Sequence, residues 1–291
     1  KLTASGTFDF GSLTSSTGIT NLLVAGDSAA TSVIIGDKLA DAGVPLAIAG
    51  DTIANNVVID ASALASNQSI SVTAAGFDGT DTITGGLGVD SVTYADTYDV
   101  ADMLFVGTGG SQTLRVNSSA DGTDTLRDIE VLEFASGVTV RVVGAGGYAS
   151  IAEAVSAADN GDTLLLAAAA PVSIAIANTI GASSKNLTIS NATLTEISDT
   201  GANISNANFG TAPLNGYTTI TNTSGAATLT ATELADRAVT LAGTGTFQVT
   251  GSLTELLALN SAVYSNTDTL ILSDIGTAIS NVTTAQIADL I

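Results

Sequence analysis

Short aliphatic runs, broken almost everywhere by Gly, Ser, Thr, Asn or Asp, leave this 291-residue chain few ways to fold. "NLLVAGD", "TSVIIGD", "NVVIDAS", "SISVTAAG", "DTITGG", "DSVTY", "QTLRVNS" and "VTVRVVG" have the β-branched character of strands bounded by turn residues, and no helical period runs across them. Strands so short and so evenly spaced predict the stacked coils of a solenoid, not an ordinary sandwich. An aromatic content of 4% agrees, because a narrow coil interior takes Val, Ile, Leu and Ala and has little room for rings. The expected class is mainly β.

Charge and missing residue types narrow the function. Lys and Arg number 7 against 28 Asp and Glu, a formal net charge of −21. Nucleic acid is therefore not an expected partner, since binding it needs a basic face. The balance suits a chain that is solvated by charge or that collects cations. With no cysteine there are no disulfides, Cys-held zinc or thiol nucleophiles, and with no histidine the commonest general base is gone. The mean hydropathy is +0.43, yet the longest apolar run, "LLLAAAAPVSIAIA" at 164–177, carries Pro171 and Ser173. It falls short of the roughly 20 residues a spanning helix needs, so no transmembrane segment is expected. Lys1 leads directly into "LTASGTFDF" with no signal-peptide pattern, which reads as a mature product or an excised fragment.

Residues 76–94, "GFDGTDTITGGLGVDSVTY", set Gly and Asp at the same intervals twice: Gly76, Gly79 and Asp81 in one nonapeptide, Gly85, Gly88 and Asp90 in the next. Each reads as a glycine turn followed by a strand whose aliphatic residue points inward. "GGLGVDSVT" resembles the nonapeptide of the RTX (repeat-in-toxin) family at every defined position, and "GFDGTDTIT" departs once, at Phe77. "DGTDTLRDIEVLEFASGVTV" at 121–140 is similar to the segment that closes an RTX roll, and "VIDASALASNQSISVTAAG" looks like the degenerate coils that precede one. The resemblance covers roughly residues 57–140.

That resemblance implies a parallel β-roll in which two nonapeptides complete each turn and Ca2+ sits between stacked turns, held by Asp carboxylates and main-chain carbonyls. Ligands should then recur eighteen residues apart. Asp78 with Asp96 and Asp81 with Asp99 meet that spacing; Asp90, with Val72 and Thr108 at those offsets, does not. The metal candidates are accordingly Asp78, Asp81, Asp90, Asp96, Asp99, Gly76, Gly79, Gly85 and Gly88, with Asp121 and Asp124 as a further turn pair.

Past residue 145 the texture changes. Ser150 with Glu153, Thr230 with Glu233, Ser252 with Glu255 and Thr283 with Gln286 carry the capping-box signature of a helix start, and strand-like runs flank each. "LTATELADRAV" and "VTTAQIADLI" look like diverged copies of one unit. The expected organisation is a β-roll region over 1–143, then a β-rich solenoid-like region over 144–291 with short flanking helices. "GAGGYASIAEAVSAADNGDTLLL" at 144–166 resembles the opening of pectate-lyase-type β-helices, which implies polysaccharide cleavage. Only Lys185 and Arg237 lie in that body as candidate bases, without clustered acids, and Glu130 and Glu133 read as edge residues.

No catalytic and no cofactor-binding residue is assigned, and an enzyme is not expected. The expected function is a secreted, Ca2+-binding structural protein of a Gram-negative cell surface or matrix: a surface-layer or filament subunit, or an adhesin segment, exported by type I secretion. Its partners are further copies of itself, and surface polysaccharide. The alternative is an extracellular polysaccharide lyase or hydrolase, or a carbohydrate-binding module without turnover.

Overall fold

The computed structural model describes residues 6–14, 19–25, 30–51, 53, 55–181, 185–235, 237–259, 263 and 267–273. The capping signature at Thr283 and Gln286 and the copy "VTTAQIADLI" lie outside the described residues. The chain divides into two units, Lys1–Ala168 with Leu187–Ala192, and Ala169–Asn186 with Thr193–Ile291. The protein is mainly β, with largely parallel sheets.

In the first unit successive strands are dealt alternately to two sheets. β1 (Gly6–Asp9), β3 (Thr31–Ile34), β5 (Val57–Asp60) and β7 (Thr80–Thr84) line up in one; β2 (Asn21–Ala25), β4 (Leu46–Asp51), β6 (Ile70–Thr73) and β8 (Ser91–Tyr94) line up in the other. Neighbours are parallel, so each strand meets the one that follows it two elements later. The coils are longer than the two nonapeptides expected of each turn. Thr31 faces Val57, Val58 faces Thr82 and Ser71 faces Ser91, and every one of these steps exceeds eighteen.

Alternation along each strand turns every second side chain inward. Val33, Ile59, Ile83, Leu126 and Leu114 form one apolar row across the first sheet, and Leu22, Ile48, Val72, Val92, Leu132 and Val140 form another across the second. All are buried and belong to one core. Rows of this kind explain why so few rings are needed; Tyr94 and Phe134 stack at 5.5 Å where the rows end.

After β8 the regular alternation stops. β9 (Met103–Val106) and β10 (Thr113–Ser118) form an antiparallel hairpin, β10 pairs antiparallel with β11 (Gly122–Arg127), and β11 returns parallel beside β7. In the second sheet β12 (Val131–Phe134) lies beside β8, then turns antiparallel into β13 (Thr139–Val143). The sheets are therefore mixed where the sequence predicted parallel coils alone. The reason is local: Gly107, Gly122 and Gly137 take positive φ and supply tight reversals where the sequence had been read as continuing coils.

Residues 144–168 continue this first unit. α1 (Ile151–Ala157) leads to β14 (Thr163–Leu166), which pairs with β13 and then with β15 (Thr188–Ser190). The second unit holds two parallel three-stranded sheets, one of β16 (Glu196–Asp199), β17 (Thr219–Asn222) and β19 (Thr240–Gly243), the other of β18 (Ala226–Thr230), β20 (Thr246–Gly251) and β21 (Thr269–Leu272). Its short helices among the described residues include α2 (Ile174–Gly181), α3 (Gly201–Ser205), α4 (Ala231–Leu234) and α5 (Leu253–Leu257). The capping boxes read at Thr230 and Ser252 are both complete. At Ser150 the hydroxyl accepts from Glu153 N, while the Glu153 carboxylate reaches Ala149 N instead of the cap residue itself. No helix among the described residues is long and apolar enough to cross a membrane.

The stacked rows make a quantitative demand. Ile83 is 1% exposed at the centre of its row, so Ile83→Ala should cost about 2–5 kcal/mol, whereas Val89→Ala on the 56% exposed turn should change little. Urea denaturation of the two variants checks this.

Candidate functional site

The most unusual chemistry of the molecule lies inside these rows. Asp81, Asp90, Asp121 and Asp124 are 2% exposed or less and Glu130 is 8% exposed, in a chain whose other carboxylates are mostly at the surface. Their placement follows from strand alternation. Asp81 and Asp124 are register partners on β7 and β11, two residues before the inward Ile83 and Leu126, so they occupy inward slots of the same ladder. Val116 of β10 is the next partner in that slot.

Of the five acids Asp81, Asp90, Asp121, Asp124 and Glu130, all but Asp124 take a backbone amide from a neighbouring coil. Asp81 Oδ1 accepts from Val57 N at 2.6 Å, Asp90 Oδ1 from Ile70 N at 2.7 Å, Glu130 Oε2 from Asp90 N at 2.8 Å, and Asp121 Oδ2 from Ala95 N at 2.7 Å. Asp90 Oδ2 also accepts from Gly86 N within its own turn. The second unit repeats the arrangement where Asp268 Oδ2 accepts from Phe247 N at 2.7 Å. These amides sit at strand entries, or for Ala95 just past the end of β8, where an unpaired buried N–H would cost about 1–3 kcal/mol.

Two acceptors are left over. Asp124 Oδ2 accepts from Tyr94 Oη–H at 3.0 Å, but Asp124 Oδ1 and Asp81 Oδ2 are buried with no donor. Burial raises both carboxyls, Asp81 to about 6 and Asp124 to about 7; each is raised further by a neighbouring acid, Asp78 for the first and Asp81 for the second. A proton on either carboxyl would supply the missing donor. Burial also raises Glu130 to about 7, helped by Asp90, and raises Asp90 itself, while Tyr94 is pushed well up by complete burial and the adjacent Asp124.

The remaining predicted ligands are dispersed. Asp78 and Asp99 are exposed, and Asp99 caps a 3-10 turn by accepting from Ala101 N at 2.9 Å. Asp96 accepts from Ser119 N and Oγ at 2.8 and 2.7 Å, bonds that hold its carboxyl below the usual range. Neither pair at the nonapeptide spacing is brought together as neighbours, because the coils are longer than two nonapeptides and the β9–β10 hairpin intervenes. Gly76 takes φ +94°, as a turn glycine should. Gly79, Gly85 and Gly88 serve by close approach instead: a Cβ at each would run into the carbonyl oxygens of Asn55, Asp128 and Gln68 respectively. Among the described residues no group of three or more acids is arranged to hold a metal ion. Asp81 and Asp124 keep one donorless carboxylate oxygen each.

Other expectations resolve similarly. Of Asp121 and Asp124, read as a turn pair, Asp121 does lie in the β10–β11 turn and Asp124 lies in β11, and both are buried; Glu130, read as an edge residue, is buried, while Glu133 is exposed and accepts from Thr93 Oγ1. Arg237, weighed as a lyase base, donates to the carbonyl oxygens of Phe209, Glu233 and Tyr217, a structural role. Sequence reading missed the pattern that joins these acids. Asp followed by Ser or Thr and then an aliphatic residue occurs at 81–83, 90–92, 124–126, 162–164 and 268–270, where the aspartate is buried or bound to an amide. The same pattern at 51–53 leaves Asp51 exposed, because it ends a strand there instead of starting one. Comparison with protein-family models, curated proteins and solved structures gives no match.

The folded pKa values lie above the ordinary 3.8 and 4.5, so the folded state holds extra protons between about pH 4 and pH 7. Stability is therefore highest at the acidic side and falls as pH rises through that window. Asp124→Asn places an amide donor against Asp81 Oδ2 and should raise stability at pH 8 by about 1–3 kcal/mol while flattening the slope. Thermal melts at pH 4, 6 and 8 decide it: an equal loss of stability at every pH would show that the pair is not proton-linked.

Proposed function

We propose that this chain is a non-catalytic structural protein of the cell surface or extracellular matrix, a coiled β-roll whose product is the stacked body itself. The observation that carries the reading is the alternation of strands between two sheets, each strand pairing in parallel with its counterpart one coil on, so that the backbone edge of each coil is satisfied by the next. A body of this kind can be extended by another copy in the way it extends itself. Among the described residues β9 pairs only with β10 and ends its sheet, and it leaves Leu104 and Val106 exposed. That edge is the proposed contact for self-association.

Calcium is a separate part of the proposal and rests on the nonapeptide resemblance, supported by the buried acids. Any cation that lowers the cost of ionising them shifts the equilibrium towards the folded chain by mass action. Export in an unfolded, calcium-poor state followed by folding outside the cell fits such coupling, with a Gram-negative surface as its setting. A lyase or hydrolase reading gains nothing from Arg237, whose guanidinium is bound to carbonyls.

Circular dichroism and negative-stain microscopy at pH 7.5, with excess calcium and then with chelator, test both parts. Sheets or fibres together with a β-signal that strengthens with calcium would support the whole proposal. Assemblies indifferent to chelator would retain the structural role and remove calcium from it. A monodisperse particle under all conditions would overturn self-assembly.

A further inference from the structure

The second unit carries a cleft of about 490 Å³, within the range of small-molecule sites. Its polar lining is dominated by side-chain amides. Asn178 comes from α2, Asn203 from α3, and Asn206 and Asn208 from the segment that leaves α3; Asp199 and Thr211 join them beside the buried Ile174 and Leu214.

The charge in this lining is already engaged. Asp199 is its one carboxylate among the described residues, and Oδ1 accepts from Thr200 N at 2.8 Å and Asn203 Nδ2 at 2.6 Å, while Oδ2 accepts from Ile174 N at 3.1 Å. No Lys or Arg among the described residues lines the cleft. An anionic ligand would find no counter-charge, and a cation would compete with bonds already made.

What is left over is a mixture of neutral donors and acceptors. Asn203 and Asn206 each commit their NH2 group, to Asp199 and to Ala202 O at 2.9 Å, which leaves their carbonyl oxygens as acceptors. Asn208 does the reverse, accepting from Gly210 N at 3.0 Å and keeping its NH2 as a donor. Asn178 makes no side-chain hydrogen bond among the described residues and offers both. Adjacent hydroxyl groups, each donor and acceptor at once, match such a set, and the apolar Ile174 and Leu214 suit the C–H face of a sugar ring.

We propose that this cleft binds a neutral saccharide. The inference does not rest on calcium or on self-assembly. The test is NMR titration of the full chain with maltose, cellobiose, diacetylchitobiose and digalacturonate, each to about 20 mM, a range that detects millimolar binding. At least one neutral disaccharide should bind saturably and shift the side-chain amide signals of Asn203, Asn206 and Asn208. Asn178→Leu, at an exposed helix position whose side chain carries no bond among the described residues, should weaken that binding by about tenfold without altering the melting temperature, and Asn206→Leu, which also loses its bond to Ala202 O, should weaken it by a similar factor. No response to any neutral disaccharide, shifts outside the cleft, binding only of digalacturonate, or unchanged affinity in both variants would overturn the proposal.

Discussion

An inward-facing carboxylate that accepts a backbone amide from the next coil is the contact on which the first unit depends. Strand entries are places where the ladder has not yet begun and water is already excluded, so the amide there needs an acceptor from a side chain. Asp is short enough to reach it from the inward slot. Val57, Ile70 and Asp90 are served by carboxylates in this way, and Ala95, just past the end of β8, is served by Asp121. The cost appears in the acid itself, which loses hydration and becomes harder to ionise.

At Asp81 and Asp124 two such residues fall in adjacent slots of one ladder, and the cost becomes concentrated. Each accepts from a different donor, yet one oxygen on each side has none. Part of the formal charge of −21 thus falls on carboxyls in the core that burial makes harder to ionise, where composition alone would count it as solvated charge. Tyr94, which donates to Asp124 and stacks on Phe134, ties this polar island to the apolar rows around it.

Much of the fold was legible because it is written locally. The short β-branched runs are strands, alternate residues along them are inward, and the capping boxes at Thr230 and Ser252 start helices as written. The coil length was not legible, because the nonapeptide says nothing of the turns between strands; those holding Leu39, Ala40 and Leu64 are long and contribute buried residues of their own. Asp81 and Asp90, the aspartates of the two nonapeptides, are both buried. The nonapeptide frame nevertheless stops before Asp124, which was placed in a turn, so the partnership of Asp81 with an acid three strands beyond the second nonapeptide's own was out of view. Nor does a sequence show that three asparagines near α3 and one on α2 surround a common cleft.

The spacing of partners also sets an order of events for the emerging chain. Most strands of the first unit meet their parallel neighbour one coil on, as Thr31 meets Val57 and Ser71 meets Ser91, so pairing can advance coil by coil behind the growing end without long loops to close. The exception is the stretch after β8, since β7 and β8 find their partners β11 and β12 only after β9 and β10 have been made, but β9 and β10 can form their hairpin alone and arrive with β11 as one piece. The hairpin that breaks the regularity of the stack thereby shortens the one long wait in its assembly.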